Sequence, residues 1–184
     1  MVAEPRHSQK MTVEEYLIWS AQQELRYEYI DGDIFAMTGG SIRHNDIALN
    51  FYRTLYPHIR QRGCRINVAD VKVRAAGNNR YFYPDLVITC HPEDLKSTDF
   101  IEHPKIIIEV LSPSTEKYDR TKKLQYYRQI PSLEEYVLVN LEETEVEIYQ
   151  RGENKMWMYS TYNDGDIIAL QSIDFECHID RLFE

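Results

Sequence analysis

The sequence predicts an α/β fold, and three observations carry that prediction. The segments "YFYPDLVIT" (81–89), "KIIIEVLSPS" (105–114) and "EYVLVNL" (135–141) are short, apolar and rich in β-branched residues, as strands packed on both faces are. Between and before them lie stretches whose apolar residues recur at helical spacing. No linker, repeat or low-complexity segment interrupts the pattern, so residues 1–184 are read as a single domain large enough to bury a substantial core.

The elements follow in order. "MTVEEYLIW" predicts a helix, with Thr12 as N-cap and Glu15 completing a capping box. "RYEYIDGDIFAMT" predicts a hairpin turning on Asp31-Gly32. From Ile42 to Arg60, Ile47, Phe51, Leu55 and Ile59 mark one helix face, and Gly63 ends it. "CRINVADVKVRA" alternates like one half-exposed strand, and the turn "AGNN" leads into "YFYPDLVIT". "HPEDLKSTDFIEHP" reads as a polar loop before the strand "KIIIEVL". "SPST" supplies a turn, "EKYDRTKKLQYYRQI" the next helix, and "EYVLVNL" a further buried strand. The remainder, from Glu145, reads as short antiparallel strands with turns near Gly152 and "NDGD".

Composition narrows the class of protein. With 43% hydrophobic and 28% charged residues, it is that of an ordinary soluble domain. No apolar run approaches the ~20 residues that span a bilayer, and "MVAEPRHSQK" has no apolar core of the signal-peptide kind, which predicts a cytoplasmic protein without a membrane partner. Cys64, Cys90 and Cys177 are scattered and odd in number, so reduced, buried thiols are expected. The net charge of −9 speaks against nucleic acid, but its distribution does not: Arg53 to Arg80 holds seven Lys/Arg against one acid, and Lys117 to Arg128 five against one. The acidic excess lies in the tail, where Pro131 to Glu184 holds three Lys/Arg against thirteen acids.

Two of the buried-type strands each carry one carboxylate, Asp85 and Glu109, with no arginine beside either. A lone buried carboxylate is costly and shifts its pKa, pairs with a cation or binds a metal. Pro84 suits a strand end, bulge or edge just before Asp85. On adjacent strands the two acids would face each other at one end of the sheet, where a cation between them relieves their repulsion. All-oxygen ligation of this kind is the habit of Mg²⁺ and Mn²⁺. The competing reading gives each acid a backbone group or a basic partner.

Pro84-Asp85 followed by Glu109-Val110-Leu111 resembles the PD-(D/E)XK signature. The longer series "RYEYIDGDI", "SIRHNDIA" and "IIIEVLSPST…YDRTKKLQYY…EYVLV" resembles the Uma-two family of restriction endonucleases within that superfamily, over nearly the whole chain. The resemblance implies a restriction-endonuclease-like core: a mixed central sheet flanked by helices, here with added antiparallel strands toward the C-terminus. It also implies divalent-metal dependence (Mg²⁺ or Mn²⁺) and phosphodiester hydrolysis in nucleic acid, DNA being the expected substrate and a homodimer the expected assembly. Asp85 and Glu109 are then metal ligands, with the Val110 carbonyl as a further one.

The chain departs from the pattern at Leu111, where the superfamily places a lysine. Lys123, which fits the place where this family carries a lysine, takes that role, orienting the attacking water or stabilising charge on the phosphate. It shares a helix side with Asp119 and Tyr127 at i, i+4 and i+8. Glu28 matches the extra acid of related nucleases, as a third ligand or water-positioning group; its alternative is a salt bridge. His44, Lys122 and Asp119 are the expected substrate contacts, with a satisfied half-buried histidine as His44's alternative. A phosphate loop, a His-Glu-x-x-His and a Gly-x-Ser-x-Gly are all lacking. The departure at Leu111 and the net charge keep a second class open: a nuclease-fold protein that binds nucleic acid or protein without cutting.

Overall fold

The computed structural model describes residues 10–37, 39–75, 77 and 79–184; the N-terminal "MVAEPRHSQ", Thr38 at the end of the predicted hairpin, and Ala76 and Asn78 of the predicted turn lie outside them. Helix α1 (Val13–Ser20) begins with the expected box: Thr12 Oγ1 accepts from Glu15 N at 3.2 Å, and Glu15 Oε2 accepts from Thr12 N at 2.8 Å. Strands β1 (Tyr27–Ile30) and β2 (Asp33–Ala36) form the hairpin. Asp31 (φ 51°) and Gly32 (φ 102°) supply the two positive φ angles that its two-residue turn requires. Ser41 caps α2 (Ile42–Gln61), which buries Ile47, Phe51, Leu55 and Ile59 as their spacing predicts.

Two expected strands are each broken. "CRINVADVKVRA" forms β3 (Arg65–Val68) and β4 (Lys72–Ala75), separated by Ala69 and Asp70 at positive φ. "YFYPDLVIT" forms β5 (Arg80–Phe82) and β6 (Leu86–Thr89), separated at Tyr83-Pro84-Asp85. Since β3 pairs with β6 and β4 with β5, the four make one long hairpin bent at a single level, where Ala69 N donates to Asp85 O at 2.8 Å. Pro84 has no N–H for a ladder, so the bend falls where pairing is weakest. The bend sends the two halves into different sheets and leaves Asp85 at the mouth of β6.

The segment expected as a polar loop contains α3 (Pro92–Lys96) and the two-residue β7 (Phe100–Ile101). Buried Asp94 organises it, accepting from Thr89 Oγ1 and from the backbone N–H of Glu102 and His103 at 2.8–3.0 Å. The expectation of reduced thiols holds only for buried Cys177, because Cys64 and Cys90 form a disulfide. Arg65 pairs with Thr89, so the residues just outside that pair, 26 apart in sequence, stand opposite each other.

The central sheet contains β8 (Ile106–Val110), β9 (Glu135–Asn140), β10 (Glu145–Arg151) and β11 (Trp157–Tyr162), in the order β11-β10-β9-β8-β6-β3. The β8–β9 pair is parallel and the others antiparallel, so the sheet is mixed, as expected. One face packs on α2 through Leu86, Ile88, Ile106, Ile108, Val137 and Val139. The opposite face, through Val87, Ile107 and Leu138, meets the second helical run and β4, β5 and β7. That run is α4 (Glu116–Tyr118), a π-turn (Asp119–Lys123) and α5 (Leu124–Tyr127) in direct succession. Strands β12 (Ile167–Leu170) and β13 (Phe175–His178), then α6 (Asp180–Phe183), extend the core on the α2 side.

Much of the tyrosine excess is core. Tyr16 of α1 stacks on Tyr29 with ring centroids 4.7 Å apart and lies 5.6 Å from Tyr81, and its hydroxyl donates to Tyr27 O at 2.6 Å. Among the described residues, no helix is long and apolar enough to cross a membrane.

Candidate active site

Leu86 of β6 stands opposite Ile108 of β8, which puts Asp85 opposite Glu109 one step beyond. Their strand neighbours Val87, Ile107 and Leu111 share one apolar cluster, so both acids belong to the same face of the sheet. Asp85 accepts from Val110 N at 2.7 Å through Oδ2, which ties its carboxylate to the end of β8. Both acids line an open cleft of about 460 Å³, together with His44, Val110, Asp119 and Lys123.

Lys123 reaches this point from the π-turn. Its Nζ lies 2.9 Å from Glu109 Oε1, 3.3 Å from Glu28 Oε1 and 3.4 Å from Asp119 Oδ1. The Lys123 side chain is 8% exposed and those of its three partners 12% or less, so four ionisable groups share one nearly dry site. Tyr127, whose place on this helix side the sequence showed without suggesting a contact, donates from its hydroxyl to Glu109 Oε1 at 3.1 Å. The π-turn is anchored from two sides: the Tyr136 hydroxyl donates to Asp119 O at 3.2 Å, and Arg120 pairs with Glu116 and buried Glu147. One extra residue in a helical turn changes which side chains face inward after it, and such turns recur at functional sites.

Burial pushes the Glu109 carboxyl well above the usual range; Lys123 opposes the rise, and the charges of Asp119 and Asp85 add to it. Burial likewise raises Glu28 against the pull of Lys123. Burial alone would depress the Lys123 ammonium, but Glu109 and Glu28, with Tyr127 and Asp119, hold its pKa well above the ordinary value. The cluster is three acids around one fixed cation. The acids outnumber the lysine, and Asp85 adds a further carboxylate at the cleft end, which is the repulsion that raises Glu109.

His44, in the first turn of α2, bridges the two strand ends. Its Nε2 lies 2.9 Å from Val110 O and 3.3 Å from Asp85 Oδ2. The hydrogen bond to Asp85 raises its pKa against the effect of burial, aided by the charge of Asp85 and by the Val110 carbonyl. A folded-state pKa above the ordinary 6.5 adds stability that is complete below that pH and lost as pH climbs through the raised value. In metal-free protein, the urea midpoint of the wild type relative to His44→Gln is therefore expected to fall as pH rises from the ordinary histidine value of 6.5 through the raised one. Identical pH slopes for the two proteins would show that His44 does not gain a proton on folding.

Of the expected site residues, the structure brings together Asp85, Glu109, Val110, Lys123, Glu28, His44 and Asp119. The Asp119 carboxylate faces Lys123 within the buried cluster, and Lys122 is exposed one position round the helix. Much of the first basic stretch is engaged structurally: Arg62 with Asp174, Arg74 with Glu102, Arg80 with Asp31, and Arg65 with the carbonyls of Asp94, Leu95 and Ser97.

The chain is similar to two proteins of Synechocystis sp. It is 37% identical to "Uncharacterized protein slr1290" over 174 residues (95% of this chain, 92% of that protein) and 35% identical to "Uncharacterized protein sll1609" over 152 residues (80% and 85%). A crystal structure from Anabaena variabilis, described as "a putative nuclease belonging to DUF820", superposes with a TM-score of 0.78 at 17% identity, covering 94% of this chain and 97% of that one. At that identity the likeness shows the fold, a restriction-endonuclease-like α/β core, which agrees with the mixed sheet and its flanking helices. Residues 13–180 match the Uma2 family, described as "Putative restriction endonuclease", and the chain belongs to that family.

Proposed function

We propose that the protein is a divalent-metal-dependent endonuclease that hydrolyses phosphodiester bonds in DNA. The observation that carries this reading is the meeting of Lys123 with Glu109 at 2.9 Å, beside Asp85 and at the floor of an open cleft. The donor set suits Mg²⁺ or Mn²⁺: two carboxylates and the Val110 carbonyl, all oxygen. Asp85, Glu109 and Val110 would hold the ion, which when bound polarises a phosphoryl oxygen and lowers the pKa of a coordinated water.

The chain's own residues do the rest. Lys123 presents a fixed positive charge beside the attacking water and the phosphate oxygens, where it needs no reorganisation as charge develops. Tyr127 and Lys123 both grip Oε1 of Glu109, which fixes the direction of its other oxygen. Glu28 and Asp119 keep the lysine charged and in place. His44 holds the Asp85 and Val110 ends of the two strands in register and lines the cleft wall, where substrate would pass. Lys122, exposed beside the cleft helix, is placed for a substrate phosphate. Cutting both strands calls for two copies, so a homodimer completes the proposal.

The test is cleavage of supercoiled plasmid, linear duplex, single-stranded DNA and RNA, each with chelator, Mg²⁺ or Mn²⁺. Ion-dependent nicking or linearisation of duplex DNA is the expected result, and light scattering reports the assembly. Absence of cleavage on every substrate, together with no Mn²⁺ uptake in a titration, would favour the non-cutting class instead.

A further inference from the structure

Strands β6 and β8 carry the acids at one end, and a second group of titratable side chains gathers at the other. His91 follows the far end of β6, Glu93 lies in α3, and His103 precedes the start of β8. One ring nitrogen of each histidine and one Glu93 carboxylate oxygen all lie within 4.8 Å of one another. The two imidazoles stack with centroids 3.8 Å apart and planes 19° apart.

We propose that His91, Glu93 and His103 form a second metal site, for a borderline transition ion of the zinc class. Two neutral imidazoles and a carboxylate match such an ion, whereas Mg²⁺ takes oxygen. A tetrahedral zinc with bonds of about 2.0–2.1 Å separates its ligands by about 3.3 Å, so the group must tighten. Glu93, exposed on α3, is free to swing inward, and His103 is 31% exposed on its side chain.

Two observations show a scaffold already built for these ligands. His103 Nδ1 lies 3.4 Å from buried Asp94 Oδ1, and its backbone N–H donates to Asp94 Oδ2 at 2.8 Å. A carboxylate behind Nδ1 fixes the tautomer that leaves Nε2 free and makes it a better donor to a metal. His91 Nδ1 is a buried nitrogen with no hydrogen-bond partner among the described residues, the state a ligand nitrogen is in before its ion arrives. The Thr89 hydroxyl links the two halves: it accepts from His91 N, and its single proton lies between Asp94 Oδ2 at 2.8 Å and His103 O at 2.9 Å. An ion here would clamp α3 to the start of β8 and stabilise the sheet end remote from the cleft. The proposal stands whether or not the cleft cuts nucleic acid.

The test uses the full chain with its disulfide intact, stripped with chelator and dialysed against micromolar Zn²⁺. Bound metal is counted by mass spectrometry, and Co²⁺ substitution is read by visible absorption. One equivalent is expected in the wild type, in Glu109→Gln and in Cys177→Ser, with a higher melting temperature when loaded. His103→Ala and His91→Ala should lose the equivalent and the thermal shift. Glu93→Gln, a change at an exposed position that leaves folding intact, should weaken Zn²⁺ affinity at least tenfold. Retention of full affinity in Glu93→Gln and the histidine variants, loss in Glu109→Gln, or no stoichiometric uptake by the wild type would each overturn the proposal.

Discussion

Lys123→Ala is expected to lower both stability and turnover sharply. The substitution leaves Glu28, Glu109 and Asp119 facing one another in a nearly dry site without their shared cation. Removing one partner of a buried ion pair costs about 3–5 kcal/mol, because the remaining charge is uncompensated. Raised carboxyl pKa values temper that loss, since Glu28 and Glu109 can take up protons. Turnover should fall on the order of 10²–10³-fold, as when a single fixed stabiliser of developing charge is removed. Mg²⁺ should restore part of the stability, since it brings positive charge back to the same carboxylates. Urea denaturation with and without Mg²⁺, beside single-turnover cleavage, measures both effects. Lys122→Ala is the control: its exposed side chain should change stability by no more than about 0.5 kcal/mol and weaken DNA binding in a salt-dependent way. If the two lysine variants behave alike, Lys123 is not the polarising residue.

The second large effect is expected at the acids. Glu109→Gln keeps the side-chain shape and an oxygen that Lys123 and Tyr127 can still bond, but it withdraws the charge that holds an ion. Cleavage should drop on the order of 10²–10³-fold or more, and Asp85→Asn should match it. Stability should move the other way in the absence of metal. The Glu109 pKa is raised on folding, so the folded state binds more protons than the unfolded chain above about pH 4.5, and wild-type stability falls as pH rises through the raised value. An amide has no such titration. Glu109→Gln should therefore hold its stability across that pH window, while Lys123 keeps two carboxylate partners. Undiminished Mg²⁺-dependent cleavage in both variants would move the site elsewhere.

Several parts of this protein are local, and the sequence alone determined them. The Thr12–Glu15 box, the Asp31-Gly32 turn and the helical spacing of Ile47, Phe51, Leu55 and Ile59 each depend on residues within a few positions of one another. The candidate acids were legible for a related reason: a carboxylate inside "IIIEVL", or after Pro84 in "YFYPDLVIT", breaks a local pattern that burial otherwise enforces. The i, i+4, i+8 spacing likewise singled out Asp119, Lys123 and Tyr127, although not the hydroxyl contact of Tyr127 to Glu109.

What only the tertiary structure decided depends on residues far apart in the chain. No window of sequence shows that two continuous-looking strands bend together, because the bend exists through Ala69 N meeting Asp85 O. The disulfide requires the register of β3 on β6, which brings together cysteines separated by 26 residues. The small structures in the supposed loop form around Asp94, a polar residue whose burial is stabilised by partners from β6 and from the segment before β8. The π-turn that delivers Lys123 is anchored by Tyr136 and Glu147 on neighbouring strands. Local propensity reports what a segment prefers by itself; pairing register, burial and shared charge are properties of segments already brought together, and they set where each acid and the lysine finally stand.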